Sequence, residues 1–188
     1  GLQDHYAPRS VARVKNIKTI NELRRGVSLW IEALKWATTR RGLLALSPTM
    51  VYCFWHSGET TESSDLQLTF TPASYKEGVQ GALEDQPGMT VTSWQQRPEG
   101  RGYVRIRSAD PFAPPIIQTN YLAHELDRRV VVAGTKLARR LLASQPLKPY
   151  YDYEDFPGPK VQSDAEFLAA ATQPGTTTFH PGCTCRRG

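Results

Sequence analysis

The 188-residue chain predicts an α+β domain, a largely antiparallel sheet with flanking helices. Three observations carry that expectation. Several strand-like runs cluster in the first 110 residues, helical segments are grouped around and after them, and the regular strand-helix alternation of a doubly wound sheet is missing. With 39% hydrophobic and 22% charged residues the chain can bury one ordinary core, so a single domain is the starting expectation.

Each element has its own signal. Thr19-Ile-Asn-Glu22 has capping-box spacing, and Leu23, Val27, Trp30, Ile31 and Leu34 recur at helical intervals up to Arg40-Arg41-Gly42. That pattern predicts one amphipathic helix whose aromatic stripe, with Trp30 and Trp36, packs into the core. Met50 to His56 is an apolar and aromatic run suited to a buried strand, while Asp65 to Thr71 alternates at period two. Met89 to Gln96 is a third strand. After the turn signal Pro98-Glu-Gly100, Tyr103 to Arg107 gives a fourth, with Val104 and Ile106 inward and Arg105 and Arg107 outward. Strands joined by short loops pair antiparallel, because a parallel return needs a crossover of about a dozen residues or more.

From His124 to Ala143, Leu126, Val130, Leu137 and Leu141 line one helical face, leaving Asp127, Arg128, Arg139 and Arg140 for the other. Ser163-Asp-Ala-Glu166 is a second capping box and opens a short helix that stops before Pro174-Gly175. The Pro-, Tyr- and Asp-rich stretch from Pro146 to Pro159 reads as an ordered surface loop.

Charge and cysteine usage exclude several classes. The net charge of +5 and pI near 9.2 could serve an anionic partner, but the arginine pairs fall in different predicted elements and no basic stripe interleaves with aromatics, so no nucleic-acid partner is expected. No run approaches the roughly 18 apolar residues of a membrane span, and Gly1-Leu-Gln-Asp-His5 lacks a secretory pattern. Cys53, Cys183 and Cys185 are odd in number, and the last two are too close for an unstrained bridge. Cys183, Cys185 and nearby His180 fall short of the four ligands of a closed zinc site, so no metal is expected. The expected location is cytoplasmic, with a membrane-peripheral position left open.

Chemistry-bearing motifs are few. There is no G-x-G-x-x-G loop, P-loop or G-x-S-x-G elbow. Asp152, Glu154 and Asp155 could pair as carboxylates, although sequence does not set their separation. Cys185 with His180 offers a thiol nucleophile without a preset geometry. His56 and His124 read as a strand end and a helix start. His180 stands apart, because Thr176-Thr-Thr-Phe-His-Pro181 holds it between a helix end and a compact Gly182-Cys-Thr-Cys segment, a setting suited to general acid/base work.

Leu2-Gln-Asp-His5, Gly100 to Pro111, Pro115 to Leu122, and Thr178-Phe-His-Pro181 with Thr184-Cys185 just beyond are four motifs in order. Together they resemble the glucose-methanol-choline (GMC) family of flavin oxidoreductases, and within it the choline dehydrogenase-like alcohol dehydrogenases. The resemblance implies an FAD cofactor, most of whose site lies outside this chain, and a small primary alcohol, choline or aliphatic, as substrate. It implies His180 as the base that takes the hydroxyl proton, with the α-hydride passing to flavin N5 and an aldehyde as product. Phe179 and His180 would then lie beside the flavin, while the electron acceptor stays unspecified.

The resemblance also implies a division in which 1–17 leads out of the flavin domain, 18–175 is the substrate-binding domain and 176–188 begins the return. The chain departs from the family pattern where Cys183 replaces a glycine and Arg187 a methionine, and a buried charge there would be costly unless it reached water. The dinucleotide loop is expected before Gly1 and a second catalytic His or Asn after Gly188, so these residues are expected to be a fragment that is inactive alone. Two other readings stay open at this stage: a non-catalytic binding module that keeps only the substrate-domain fold, and a hydrolase using Cys185.

Overall fold

A computed structural model describes residues 1–47, 49–60, 63–76, 81–173 and 175–185. Strands β1 (Tyr6–Ala7) and β2 (Arg9–Val14) precede helices α1 (Ile20–Leu23) and α2 (Gly26–Thr39). A single 3-10 turn at Leu43–Ala45 leads to β3 (Val51–Trp55), β4 (Leu66–Thr71) and β5 (Gly88–Gln95). The hairpin strands β6 (Tyr103–Arg105) and β7 (Ile116–Gln118) follow, then α3 (Glu125–Leu142), β8 (Tyr151–Phe156), α4 (Asp164–Ala171) and β9 (Thr176–Thr177). The main sheet runs β3-β4-β5-β2-β8 and every pairing in it is antiparallel, as expected.

One face of that sheet is covered by α3, with α4 packed on the helix. Alternation along the strands sends Leu66 and Leu68 of β4, Met89 and Val91 of β5 and Ala12 of β2 to this side, where they meet Val130, Ala138 and Leu142. Each fully buried leucine here contributes about 1.5–3 kcal/mol relative to an exposed one. The helix comes close because position 134 has no side chain: a Cβ on Gly134 would sit 2.9 Å from both Leu66 Cδ1 and Ser93 Oγ. Gly134→Val is therefore expected to destabilise the domain by about 1–3 kcal/mol through overpacking, read as a lowered denaturant midpoint, and an unchanged midpoint would contradict the packing.

The long helix starts where expected, with His124 as its N-cap, but its packed face is rotated from the leucine stripe. Val130, Val131, Gly134, Thr135, Ala138 and Leu142 are buried, while Leu126 and Leu137 pack at the rim and Leu141 is 38% exposed. Small residues let the helix lie flat on the sheet, which long leucines would prevent. Asp127, assigned to the polar face by pattern, is buried instead. Its carboxylate accepts the backbone N–H groups of Glu99 and Gly100, both at 2.8 Å, and pins that turn.

Four other expectations are corrected. The first helix is two, broken at Gly26 in the left-handed region (φ 51°), and no residue of α2 is buried. Trp30 is 77% exposed, because periodicity marks a face that can be covered without supplying its cover. β3 is an edge strand with Val51, Tyr52, Phe54 and Trp55 all exposed. The run at Tyr103 stops at Arg105 and pairs with β7 outside the main sheet, leaving Val104 and Ile106 exposed. The stretch from Pro146 to Pro159 contains β8, whose charged residues are matched by cations on neighbouring elements.

The capping boxes hold. Glu22 Oε2 accepts from the Thr19 N–H at 3.0 Å, and Ser163 and Glu166 exchange both bonds. α4 ends at Ala171, and Pro174 lies outside the described residues.

Candidate active site

The two ends of the chain are zipped together. β1 pairs antiparallel with β9, Tyr6 opposite Thr177. Beyond that pair, Gln3 and Gly182 exchange backbone hydrogen bonds of 3.0 and 2.8 Å, and the Thr178 N–H donates to the His5 carbonyl at 3.2 Å. Between these anchors the chain turns at Thr178-Phe-His-Pro181. Phe179 adopts φ 58°, an uncommon conformation for a bulky residue, and its N–H donates to Thr177 Oγ1 at 2.7 Å. The turn leaves Phe179 60% exposed and His180 exposed beside it.

Asp4 holds this turn in place. Its Oδ1 accepts the His180 backbone N–H at 3.0 Å, and its Oδ2 accepts the hydroxyls of Tyr121 and Thr177. Burial pulls the Asp4 carboxyl upward, but hydrogen bonds from Thr177, Tyr121 and the backbone amides of His5 and His180 outweigh it and set the group below its ordinary value. Burial, then the Asp4 carboxylate, push the Tyr121 phenol up to about 12, so its hydroxyl remains a donor at neutral pH.

Next in sequence, His5 faces the turn with its ring. Its Nδ1 lies 3.4 Å from His180 Nδ1 and its Nε2 lies 3.1 Å from the Gln96 carbonyl oxygen. Burial is the main cause that lowers the His5 pKa, and the nearby His180 adds to it, against the Gln96 carbonyl and Asp4. His5 also stacks on Trp94, with ring centroids 6.1 Å apart and planes at 25°. Trp94 is buried on the face of β5 opposite to the one under α3, in register with Gln67 and Phe54 of the next two strands. A cleft of about 380 Å³ opens at this end of the sheet, with Gln96, Pro98, Glu99 and Arg101 on one side and His180 and Cys183 on the other.

The remaining candidates fall elsewhere. Asp155 pairs with Arg13 at 2.7 Å, Glu154 with Arg139 at 2.7 Å, and Asp152 approaches Lys15 at 3.8 Å. Each carboxylate is thus matched to its own cation, which disfavours a shared acid/base pair. All three cysteines are free, and the ring partner of His180 among the described residues is His5 and not Cys185. His56 follows β3 and His124 caps α3. No group of three His, Cys, Asp or Glu side chains is placed to hold a metal among the described residues. Arg187 lies outside those residues.

Sequence spacing gave no role to Asp4, His5 or Tyr121, because the contacts that join Asp4 to Tyr121 and both Asp4 and His5 to His180 span more than a hundred residues. The one available signal was that two motifs of a single resemblance stand at opposite ends of the chain, as residues that meet in space can.

For a planar cofactor, the residues this chain offers are Phe179, an exposed aromatic ring, and His180 beside it; Thr178 Oγ1 next to them is buried without a hydrogen-bond partner. These fit one edge of a flavin ring. Among the described residues, no glycine-rich helix N-terminus accompanies them to cradle a pyrophosphate.

The fold, an antiparallel sheet backed by one long helix, has counterparts among solved structures. The solved structures it matches include an Aspergillus oryzae formate oxidase from work on FAD modification, with TM-score 0.81, 22% identity, and coverage of 99% of this chain and 37% of that one. A pyridoxine 4-oxidase from Mesorbium loti gives TM-score 0.76 and 19% identity over 98% of this chain and 32% of that one. Residues 98–188 match the family described as GMC oxidoreductase. The oxygen-dependent choline dehydrogenase of Staphylococcus saprophyticus is 33% identical over 156 residues, and that of Staphylococcus xylosus 32%, each over 82% of this chain. The chain belongs to the GMC oxidoreductase family. It spans 28% of the length of these two curated relatives.

Proposed function

We propose that this chain is the substrate-side part of an FAD-dependent enzyme that oxidises a primary alcohol, choline or an aliphatic one, to the aldehyde, with His180 as the base. The observation that carries the reading is the His180 ring, exposed at a cleft on a turn whose backbone is fixed by Asp4 and whose Nδ1 meets His5. A base held in this way is pre-oriented for the hydroxyl proton of a substrate. The bound flavin would supply the hydride acceptor at N5, the part of the reaction that the protein cannot perform.

The residues of this chain do the rest. His180 takes the hydroxyl proton, which leaves the α-carbon free to lose a hydride and form the carbonyl. Phe179 and His180 are the residues that would meet the flavin ring. The segment from Gln96 to Arg101, across the cleft from His180, would supply the substrate side. The pairing of β1 with β9 supports the division in which residues 1–17 leave the flavin domain and 176–188 return to it.

The test is to express the longer reading frame that contains these residues and screen choline and aliphatic primary alcohols with an artificial electron acceptor. A yellow protein that turns over a primary alcohol is expected, and a colourless product after flavin reconstitution would contradict the reading. The 188 residues on their own are expected to bind flavin weakly or not at all; stoichiometric flavin copurifying with them would be the opposite result.

A further inference from the structure

We propose that His5 is a positioning residue: it fixes the tautomer of His180 so that Nδ1 carries the proton and Nε2 is left bare as the atom that accepts the proton of the substrate. This rests on the reading of His180 as the base.

The inference follows from the valence of each nitrogen. The Gln96 carbonyl can only accept, so His5 Nε2, 3.1 Å away, carries a hydrogen and donates it. A neutral imidazole has one N–H, so His5 Nδ1 is a bare lone pair. It lies 3.4 Å from His180 Nδ1, and two bare lone pairs at that contact would repel. His180 Nδ1 therefore carries the hydrogen and donates to His5. The single lone pair of a neutral His180 is then on Nε2, the nitrogen away from His5. When Nε2 takes up a proton, the Nδ1–H bond to His5 persists and gains strength from the charge on its donor.

The surroundings keep His5 in that role. Its ring stacks on buried Trp94, and its backbone carbonyl accepts from the Thr178 N–H of the same turn that carries His180. The rings of His5 and His180 meet edge-on, with centroids 5.4 Å apart and planes at 79°. The titratable and charged groups that face the pair among the described residues are Asp4, on the backbone side of the turn, the free thiol of Cys183 beside His180, and Arg97, Glu99 and Arg101 across the cleft. Burial, the largest cause acting on it, lowers the His5 pKa and so favours the neutral ring.

The experiment uses the flavin-loaded enzyme with choline and 1-butanol as probe alcohols, and compares wild type, His5→Phe, His5→Gln and His180→Ala. Glutamine can donate to the Gln96 carbonyl and accept from His180 Nδ1, whereas phenylalanine keeps only the stacking on Trp94. The first readout is the imidazole ¹⁵N spectrum, with His180 assigned by its absence in His180→Ala. Wild type and His5→Gln are expected to show His180 protonated at Nδ1 and bare at Nε2, and His5→Phe to shift toward the Nε2–H form. Wild-type His180 protonated at Nε2, or no shift in His5→Phe, overturns the proposal, and the wild-type spectrum decides even if a variant fails to fold.

The second readout is turnover. His5→Phe is expected to lose about 10- to 100-fold in kcat at unchanged KM and flavin content, and His5→Gln to recover most of that loss. Wild-type turnover in His5→Phe, with His180→Ala inactive, sinks the positioning role and leaves the base reading intact. Wild-type turnover in His180→Ala sinks the base reading, while the ¹⁵N result still reports the tautomer.

Discussion

His180→Ala in the flavin-loaded enzyme is expected to lower kcat for a primary alcohol by about 10²- to 10⁴-fold, the usual range for removal of a general base. Flavin content and fold should survive, because the turn is held by the His180 backbone N–H to Asp4 and by the Gln3–Gly182 bridge, neither of which involves the imidazole. Steady-state kinetics with an artificial acceptor, paired with a flavin absorption spectrum, check both halves of the expectation. If kcat stays within a few-fold of wild type, the proton goes to some other group and the assignment of His180 is wrong.

The second large effect belongs to Asp4. Asp4→Ala removes the acceptor for the Tyr121 and Thr177 hydroxyls and for the His180 N–H, three donors gathered from different parts of the chain. Leaving these groups unpaired is expected to cost about 3 kcal/mol of stability, since hydrogen bonds to a charged acceptor are the stronger ones and unpaired partly buried donors are costly. Turnover should fall with it, because the backbone that aims His180 loses its anchor.

The pH dependence distinguishes a charged acceptor from a merely well-packed side chain. The Asp4 carboxyl is held below its ordinary value of 3.8 in the folded state, so between the two values the unfolded chain binds the proton more readily. Its stabilisation is therefore fully present above about pH 4 and lost as pH falls through the folded value. Thermal melts of wild type and Asp4→Ala should differ most above that point and draw together in acid. A gap that stays constant into the acid range would count against the charge.

The parts of this fold that were legible in the sequence are those set by local physics. Capping boxes at Thr19 and Ser163 located helix starts, because the side chains that satisfy the end amides lie within the same turn. Alternation in β4 located a strand and its buried face, because Leu66 and Leu68 must share one side. Burial was harder to read. The stripe on α2 and the apolar run of β3 mark faces suited to a partner, yet nothing described covers them, and pattern alone could not foresee that.

Strand β8 was hidden for another reason. Its Asp152, Glu154 and Asp155 look like loop residues until Lys15, Arg139 and Arg13 are brought beside them. The site divides in the same way. His180 stood out through the constrained turn that carries it, whereas its supports, Asp4 and His5, are joined to it across more than 170 residues, and no spacing rule reaches that far.

An experimental structure of the flavin-loaded protein with a bound primary alcohol, or an unreactive analogue of one, tests the central claim most directly. The account predicts His180 Nε2 within about 3 Å of the alcohol oxygen, with the carbon that bears it turned toward the flavin ring and Nδ1 still against His5. A His180 ring that faces away from the alcohol, or an alcohol oxygen served by a different base, would contradict it.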